Sequence, residues 1–282
     1  MKHIIITPVF NEEKYLRTYI NSIIKQTNRP FKLIVVDDNS TDSSASIIKS
    51  YCDKYDWIRY VYHSSKNEKS QGAKVIRAFN YGLSKISLEG IDVITKMDGD
   101  LELPSHYFSQ INKAFKSLNV GLAGGYILEK KNGYWKKVPQ ASYHIRGALK
   151  SYRVECFNKI GGFMDILGWD GIDEMKSFFY GWESKIIDIG VKHYRPTSSD
   201  YDKPALYFKL GSANYKNGGN LFLAFIRSLV KSTRKPYILN GYCYLKGYLI
   251  SYINRDKRNV NSDLSKFINI FHFKRLISFK RY

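Results

Sequence analysis

The sequence is poor in cysteine. Its 282 residues include only Cys52, Cys156 and Cys243, far apart and without a CxxC pair. That argues against a disulfide framework or a cysteine-held zinc site and fits a reducing cytoplasm. The opening MKHIIITPVF has neither the long apolar region nor the small-residue cleavage site of a secretory leader. No GxGxxG follows the first apolar run, where TPVFNEE stands instead, so a Rossmann dehydrogenase is set aside. Acid is scarce at one end: residues 203–282 carry 16 Lys/Arg against Asp256 and Asp263 alone. The formal net charge of +20 is therefore concentrated in the last quarter, interleaved with Tyr, Phe, Leu and Ile. Such a segment suits an anionic surface, either lipid headgroups or nucleic acid.

What is present in the first half is a regular alternation. The apolar runs His3–Thr7, Lys32–Val36, Ile58–Tyr62 and Asp92–Lys96 predict strands. Helical spacing predicts helices from about Asn11 to Gln26, Ser43–Tyr55 and Ala73–Ser84. Strands alternating with helices of this length imply right-handed βαβ units, an α/β class and a mostly parallel sheet. The middle predicts a helix over Tyr107–Leu118, strands over Val120–Leu128, Tyr134–Val138 and Ser184–Ile189, and a helix ending near Gly181. Beyond Pro196 the chain turns to basic, aromatic helices. No repeat or low-complexity linker divides it, and the expected boundary near residue 200 is a shift in composition.

Two acidic clusters fall where predicted strands end, which is where ligands bind in open α/β sheets. Asp98-Gly99-Asp100 places two carboxylates about a glycine turn, able to face one hard cation such as Mg²⁺ or Mn²⁺ bridging to a diphosphate. Asp37-Asp38 offers one carboxylate to cap the following helix and one to accept hydrogen bonds from a base or ribose. Each cluster alone is also an ordinary turn. Their order along the chain, together with Thr7-Pro8-Val9-Phe10-Asn11-Glu12, is harder to ascribe to chance.

The strings IIITPVFNEEKYL, LIVVDDNSTDSS, GAKVIRAFNYGL and VITKMDGDLELP resemble the donor half of family 2 glycosyltransferases with the GT-A fold. The resemblance covers residues 3–105 strongly and extends to about 200. It implies a GT-A Rossmann-like mixed, mostly parallel sheet flanked by helices, followed by a C-terminal helical extension. The catalytic domain would span 1–200, with a nucleotide-sugar half at 1–105 and an acceptor half at 106–200, and 201–282 would be a basic, membrane-associating extension. By the same resemblance Pro8, Val9, Asn11 and Glu12 shape the nucleotide loop, with Glu12 near the ribose or base. Asp37 or Asp38 recognises the base, and Gly72 and Lys74 line the nucleotide side. Asp98 contacts the ribose or the metal, Gly99 separates the pair, and Asp100 ligates Mn²⁺ or Mg²⁺. His193 stands where many relatives place a histidine that reaches the metal or diphosphate; Arg195 is read as a phosphate-neutralising or surface charge.

An inverting transfer needs a carboxylate to take the acceptor hydroxyl's proton. The family places it in a Glu-Asp pair eleven residues before a Gly-aromatic pair. Counting back from Gly181-Trp182 gives Asp170, with Trp169 in the Glu position and Asp173 and Glu174 one turn further on. Asp170 is favoured over Asp173, and the bland reading is that these acids favour a helix N-terminus. The expected partners are a UDP- or GDP-sugar, a glycan or lipid-linked acceptor and a membrane surface, without nucleic acid. The expected location is the inner face of the membrane, with cell-surface polysaccharide as the product. Phe222, Phe225, Ile226, Leu229 and Val230 form one apolar helical stripe, and Tyr237–Ile253 is short of the ~20 residues that cross a bilayer. Both fit a tail lying in the interface, against the alternative that the stripe packs onto the catalytic domain. A basic nucleic-acid binder leaves the ordered carboxylates unexplained; an inactive scaffold is kept alive by Trp169.

Overall fold

A computed structural model describes residues 1–65, 73–195 and 203–278. The donor half is a run of βα units: β1 (His3–Val9), α1 (Glu13–Ile24), β2 (Lys32–Asp37), α2 (Ser44–Cys52), β3 (Ile58–Tyr62), α3 (Ala73–Leu83) and β4 (Val93–Met97). Then come β5 (Leu101–Glu102), α4 (Tyr107–Ala114), β6 (Val120–Lys131), β7 (Tyr134–Lys137), β8 (Leu149–Arg153), α5 (Val154–Lys159), α6 (Trp169–Phe179) and β9 (Glu183–His193). Four helices complete the described chain: α7 (Lys203–Lys216), α8 (Leu221–Ser232), α9 (Leu239–Ile253) and α10 (Ser262–Ile277).

The strands form one mixed, mostly parallel sheet in the order β3-β2-β1-β4-β8-β6-β9-β5, with β7 beside β6. β3, β2, β1 and β4 run parallel, so their carboxyl ends share one edge. Their apolar runs are continuous because both faces are covered. Ile5, Leu33 and Val35 join the core beneath α1 through Leu16, Tyr19 and Ile20. Ile6 and Val36, of opposite parity, meet α3 so closely that a Cβ on Gly82 would lie 2.5 Å from Val36 Cγ2.

Two strands of the sheet and one helix beside it are not announced by periodicity. β8 reads Leu-Lys-Ser-Tyr-Arg, yet its Lys150 and Ser151 are wholly buried, because β8 runs antiparallel between β4 and β6. β5 is too short to carry a pattern, and α5 follows β8 directly. β9 is longer than its apolar centre, extending four residues to His193.

Contacts divide the chain into two units: Met1–Asp165 with Tyr180–Thr197, and Ile166–Phe179 with Ser198–Tyr282. The first holds the whole sheet. The second gathers α6 with α7–α10, around a small core of Tyr215, Ala224, Tyr244 and Tyr248.

Candidate active site

The carboxyl edge of the parallel strands is stitched by short polar loops. Val9 pairs with Asp37, and the Asp38 amide donates to the Val9 carbonyl at 2.8 Å. The loop after β1 turns through Asn11, whose φ of 54° is a left-handed value that asparagine tolerates. Asn11 holds the neighbouring loop: its Oδ1 accepts from the Thr41 amide at 2.8 Å and its amide donates to Ser40 Oγ at 3.0 Å. The Glu12 amide donates to Ser44 Oγ at 2.9 Å. Pro8 and Val9 are buried, with Val9 in the core, so what this strand end presents is backbone.

The paired aspartates have different surroundings. Asp37 accepts from the Ser40 amide and the Tyr60 hydroxyl, each at 2.9 Å, and both its oxygens are engaged inside the protein. Asp38 accepts from His63 Nδ1 at 2.8 Å and lies 3.4 Å from Lys74 Nζ. That ammonium also sits 3.9 Å over the exposed Phe10 ring, and His63 packs on Tyr81 at 4.5 Å. The pocket thus offers an aromatic face, a carboxylate, an imidazole and a cation, a set suited to a nucleobase and ribose. His63 was not anticipated, though register could have found it: Asp37 pairs with Tyr62, so Asp38 and His63 follow side by side. Gly72 lies outside the described residues.

The second cluster is built by β4, β5 and β9. Asp98-Gly99-Asp100 leaves β4, and Gly99 comes so near β1 that a Cβ there would lie 3.2 Å from Val9 Cγ2. β5 then pairs antiparallel with β9, setting Leu101 opposite His193. His193 Nε2 comes within 3.3 Å of Asp100 Oδ2, and one ligand atom each from Asp98, Asp100 and His193 lies within 4.8 Å of the others. Two carboxylate oxygens and an imidazole suit Mn²⁺ or Mg²⁺, with the nitrogen favouring Mn²⁺. His193 Nδ1 is buried without a hydrogen-bond partner, 3.9 Å from Glu129 Oε1 of the adjacent β6. A carboxylate behind a ligating imidazole is the usual outer partner of a metal-bound histidine. The residues present therefore fit a divalent cation.

The electrostatics are those of a crowded acidic cup. Burial alone would lower the His193 pKa, but the Asp100 contact and the charges of Asp100, Asp98 and Glu129 outweigh it and raise it. Burial and then the Asp100 charge push Glu12 up to about 7, against the opposing Arg195 guanidinium. Arg195 pairs with Glu12 and approaches Asp100 Oδ2 at 3.9 Å, so it belongs to the site while remaining half exposed. Buried Lys96 pairs with Asp98. Lys96, Glu129 and His63 are the site neighbours that the motifs did not reveal.

The proton-acceptor candidates lie on α6, in the second unit. Asp170 is half-buried in its first turn, whereas Asp173 and Glu174 are buried, with the Glu174 amide donating to Asp173 Oδ1 at 2.6 Å. Trp169, in the Glu position of the family pair, is buried.

The chain matches the sequence model of glycosyl transferase family 2 over residues 4–167. It is 28% identical over 176 residues to the glycosyltransferase GlyA of Streptococcus pneumoniae, covering 62% of this chain and 22% of that protein. It is 29% identical over 133 residues to a GalNAc(5)-diNAcBac-PP-undecaprenol beta-1,3-glucosyltransferase of Campylobacter jejuni, covering 47% of this chain and 40% of that enzyme. The chain thus spans well under half the length of these relatives. Among solved structures it is similar to S. aureus TarS 1–349 in complex with UDP-GlcNAc, with a TM-score of 0.59, 16% identity, and 95% of this chain and 78% of that one covered. It is also similar to the mannosyltransferase PcManGT of Pyrobaculum calidifontis in complex with GDP-Man and Mn²⁺, with a TM-score of 0.58, 14% identity, and 99% and 81% covered. At such identities the likeness is one of fold. With the family match spanning more than half of the chain, and a mixed sheet whose acidic clusters sit at its carboxyl edge, the chain belongs to glycosyl transferase family 2 and has the GT-A fold.

Proposed function

We propose that this chain moves a hexosyl or related sugar from a UDP- or GDP-sugar to a hydroxyl of a glycan or lipid-linked acceptor, with inversion and with a divalent cation. The observation that carries this reading is the convergence of Asp98, Asp100 and His193 ligand atoms within 4.8 Å, on the sheet edge that also holds the Asp38 pocket. Asp38, with Lys74 and the Phe10 ring, receives the base or ribose, while Asn11 and Glu12 shape the loop and Asp37 holds it. Asp98, Asp100 and His193 hold Mn²⁺ or Mg²⁺, which when bound stabilises negative charge on the leaving diphosphate. Arg195 adds positive charge beside it. Asp170 is the assigned base, with Asp173 the alternative: a carboxylate takes the hydroxyl proton as that oxygen displaces the nucleoside diphosphate from the anomeric carbon.

The structures of similar fold bind UDP-GlcNAc or GDP-Man, which supports a nucleotide-sugar donor. The Campylobacter relative's name describes an undecaprenol-linked substrate, which supports a lipid-linked acceptor in surface-polysaccharide synthesis. We assign 1–200 to catalysis and 201–282 to peripheral contact with the inner face of a membrane, where such an acceptor is presented. Among the described residues no helix is long and apolar enough to cross a membrane.

Calorimetric titration of UDP- and GDP-sugars with and without Mn²⁺ tests the reading. The intact chain is expected to bind one donor in an Mn²⁺-dependent manner, and Asp100→Asn to lose that dependence. Equal Mn²⁺-dependent affinity in both would remove the metal site from this account.

A further inference from the structure

Helix α8 turns its bulkiest apolar residues away from the core of the second unit. A soluble surface helix ordinarily turns its apolar stripe inward. On α8, Phe222, Phe225, Leu229 and Val230 instead face outward, each about half exposed at 54%, 48%, 51% and 54%. The buried side carries Leu223, Ala224 and Ser228. The charged side chains of α8 turn toward α7: Arg227 donates to Asn214 Oδ1, and Lys231 Nζ lies 5.5 Å over the Tyr207 ring. The largest apolar side chains of α8 thus lie outside, while its buried side holds Leu223 and two small residues, flanked by the half-buried Arg227 and Lys231.

Small residues make this arrangement possible. A Cβ on Gly241 of α9 would collide with Ser228 and Ser232 of α8. Cβ atoms on Gly211 of α7 and Gly247 of α9 would collide with the carbonyls of Tyr244 and Phe208 across the α7/α9 contact. Backbones this close leave no volume for large side chains between them, so those side chains point away. Small residues between helices and bulky apolar ones outside are the pattern that suits a lipid environment. The outward face continues onto α10, where the Phe273 ring lies 6.2 Å from that of Phe222; Tyr237, Ile238 and Leu239, which follow α8 in sequence, are exposed as well. Arg234 and Lys235, between α8 and Tyr237 in sequence, are exposed.

We propose that the outward face of α8, continued by Phe273, inserts into the headgroup–acyl boundary of an anionic bilayer, with its helix axis in the membrane plane. The inference rests on the membrane-surface reading above and fixes the face that makes the contact. Charge selects the occupant. With 16 basic residues against 2 acidic over 203–282, a second copy would bring a repelling surplus of the same sign, whereas anionic headgroups complement it. The helices are too short to span, so the contact is interfacial.

The test uses the full chain and flotation with vesicles of phosphatidylcholine alone or with phosphatidylglycerol added, at low salt. The intact chain is expected to float with the anionic vesicles. Phe222→Ser/Phe225→Ser/Leu229→Ser is expected to lower its partition roughly 100-fold with a cooperative melting transition retained, because about half of each side chain is outside the fold. Leu118→Ser, at an exposed apolar position outside the tail, is expected to float like the parent. If the intact chain stays at the bottom, the membrane reading fails and this inference with it. If the intact chain and the triple variant float alike, the membrane reading stands and this face is refuted. A parent that is dimeric by gel filtration, with a monomeric triple variant that floats unchanged, would assign the face to a second copy. Should the triple variant lose its melting transition, Phe225→Trp decides: quenching of its added emission by lipid brominated on the acyl chain supports insertion, and no quenching overturns it.

Discussion

His3 sets an acid limit on the donor half. It opens β1, the strand that pairs with β2 on one side and β4 on the other, and it is 2% exposed. Thr95 Oγ1 donates its only proton to Ser151 Oγ at 2.8 Å, so toward His3 it can only accept. Nε2 therefore carries the imidazole proton, and buried Nδ1 is left bare without a partner. Protonating Nδ1 would create a charge with no solvent, and burial, aided by the N-terminal ammonium, pushes the His3 pKa down to about 3 from 6.5. The unfolded chain takes up the proton first as pH falls. The stabilisation is thus complete above pH 6.5 and is lost progressively from there toward pH 3. At ~1.36 kcal/mol per pH unit, His3 alone removes about 2 kcal/mol between pH 6.5 and pH 5. Urea unfolding of the intact chain and His3→Gln, at pH 7.5, 6.0 and 5.0 without metal, measures it. The variant is expected to be less stable at pH 7.5 by roughly 1–3 kcal/mol, through repacking of a buried hydrogen-bonded site. Its loss on acidification should be about 2 kcal/mol smaller than the parent's by pH 5. Other titrating groups cancel in that difference, so parallel profiles for the two proteins would refute the reasoning.

The remaining predictions concern the site. Asp37→Asn should cost about 1–3 kcal/mol in urea unfolding, because Asp37 is buried and accepts two bonds that order the loop. Asp38→Asn should weaken binding of the free nucleoside diphosphate by calorimetry more than Asp37→Asn does; the reverse order would exchange their roles. His193→Ala should reduce Mn²⁺-dependent donor affinity by at least ~10-fold, and equal affinity would remove the imidazole from the ligand set. Asp170→Asn should cut turnover by ~10²–10⁴ with donor affinity retained, whereas an active Asp170→Asn beside an inactive Asp173→Asn would make Asp173 the base. Gly82→Ala should destabilise by roughly 1–3 kcal/mol despite the better helix former, since its Cβ would meet Val36 Cγ2 at 2.5 Å; a rise in melting temperature would show that α3 can lift.

What could be read in advance follows a physical rule. A strand covered on both faces must be apolar along its length, so Ile34-Val35-Val36 and the run into Met97 announced themselves, and the acids after them marked the ligand edge. β8 stayed hidden because Lys150 and Ser151 replace apolar residues in the buried part of the strand, and hydropathy carries no sign of such an exception. Glu129 reached His193 through the parallel β6/β9 register, across more than sixty positions in sequence, which local pattern does not encode. The tail shows a subtler limit. The spacing of Phe222, Phe225, Leu229 and Val230 identifies a face of α8, but periodicity is the same whichever way that face points. The missing information lay in the opposite stripe and in the next helix, where Ser228, Ser232 and Gly241 are too small to make room for anything but backbone. Where the small residues lie, two helices touch. Where the phenylalanines lie, side chains stay half exposed, with Phe222 meeting Phe273 of α10, and the basic surplus of the 203–282 sequence favours an anionic surface over another protein of like charge.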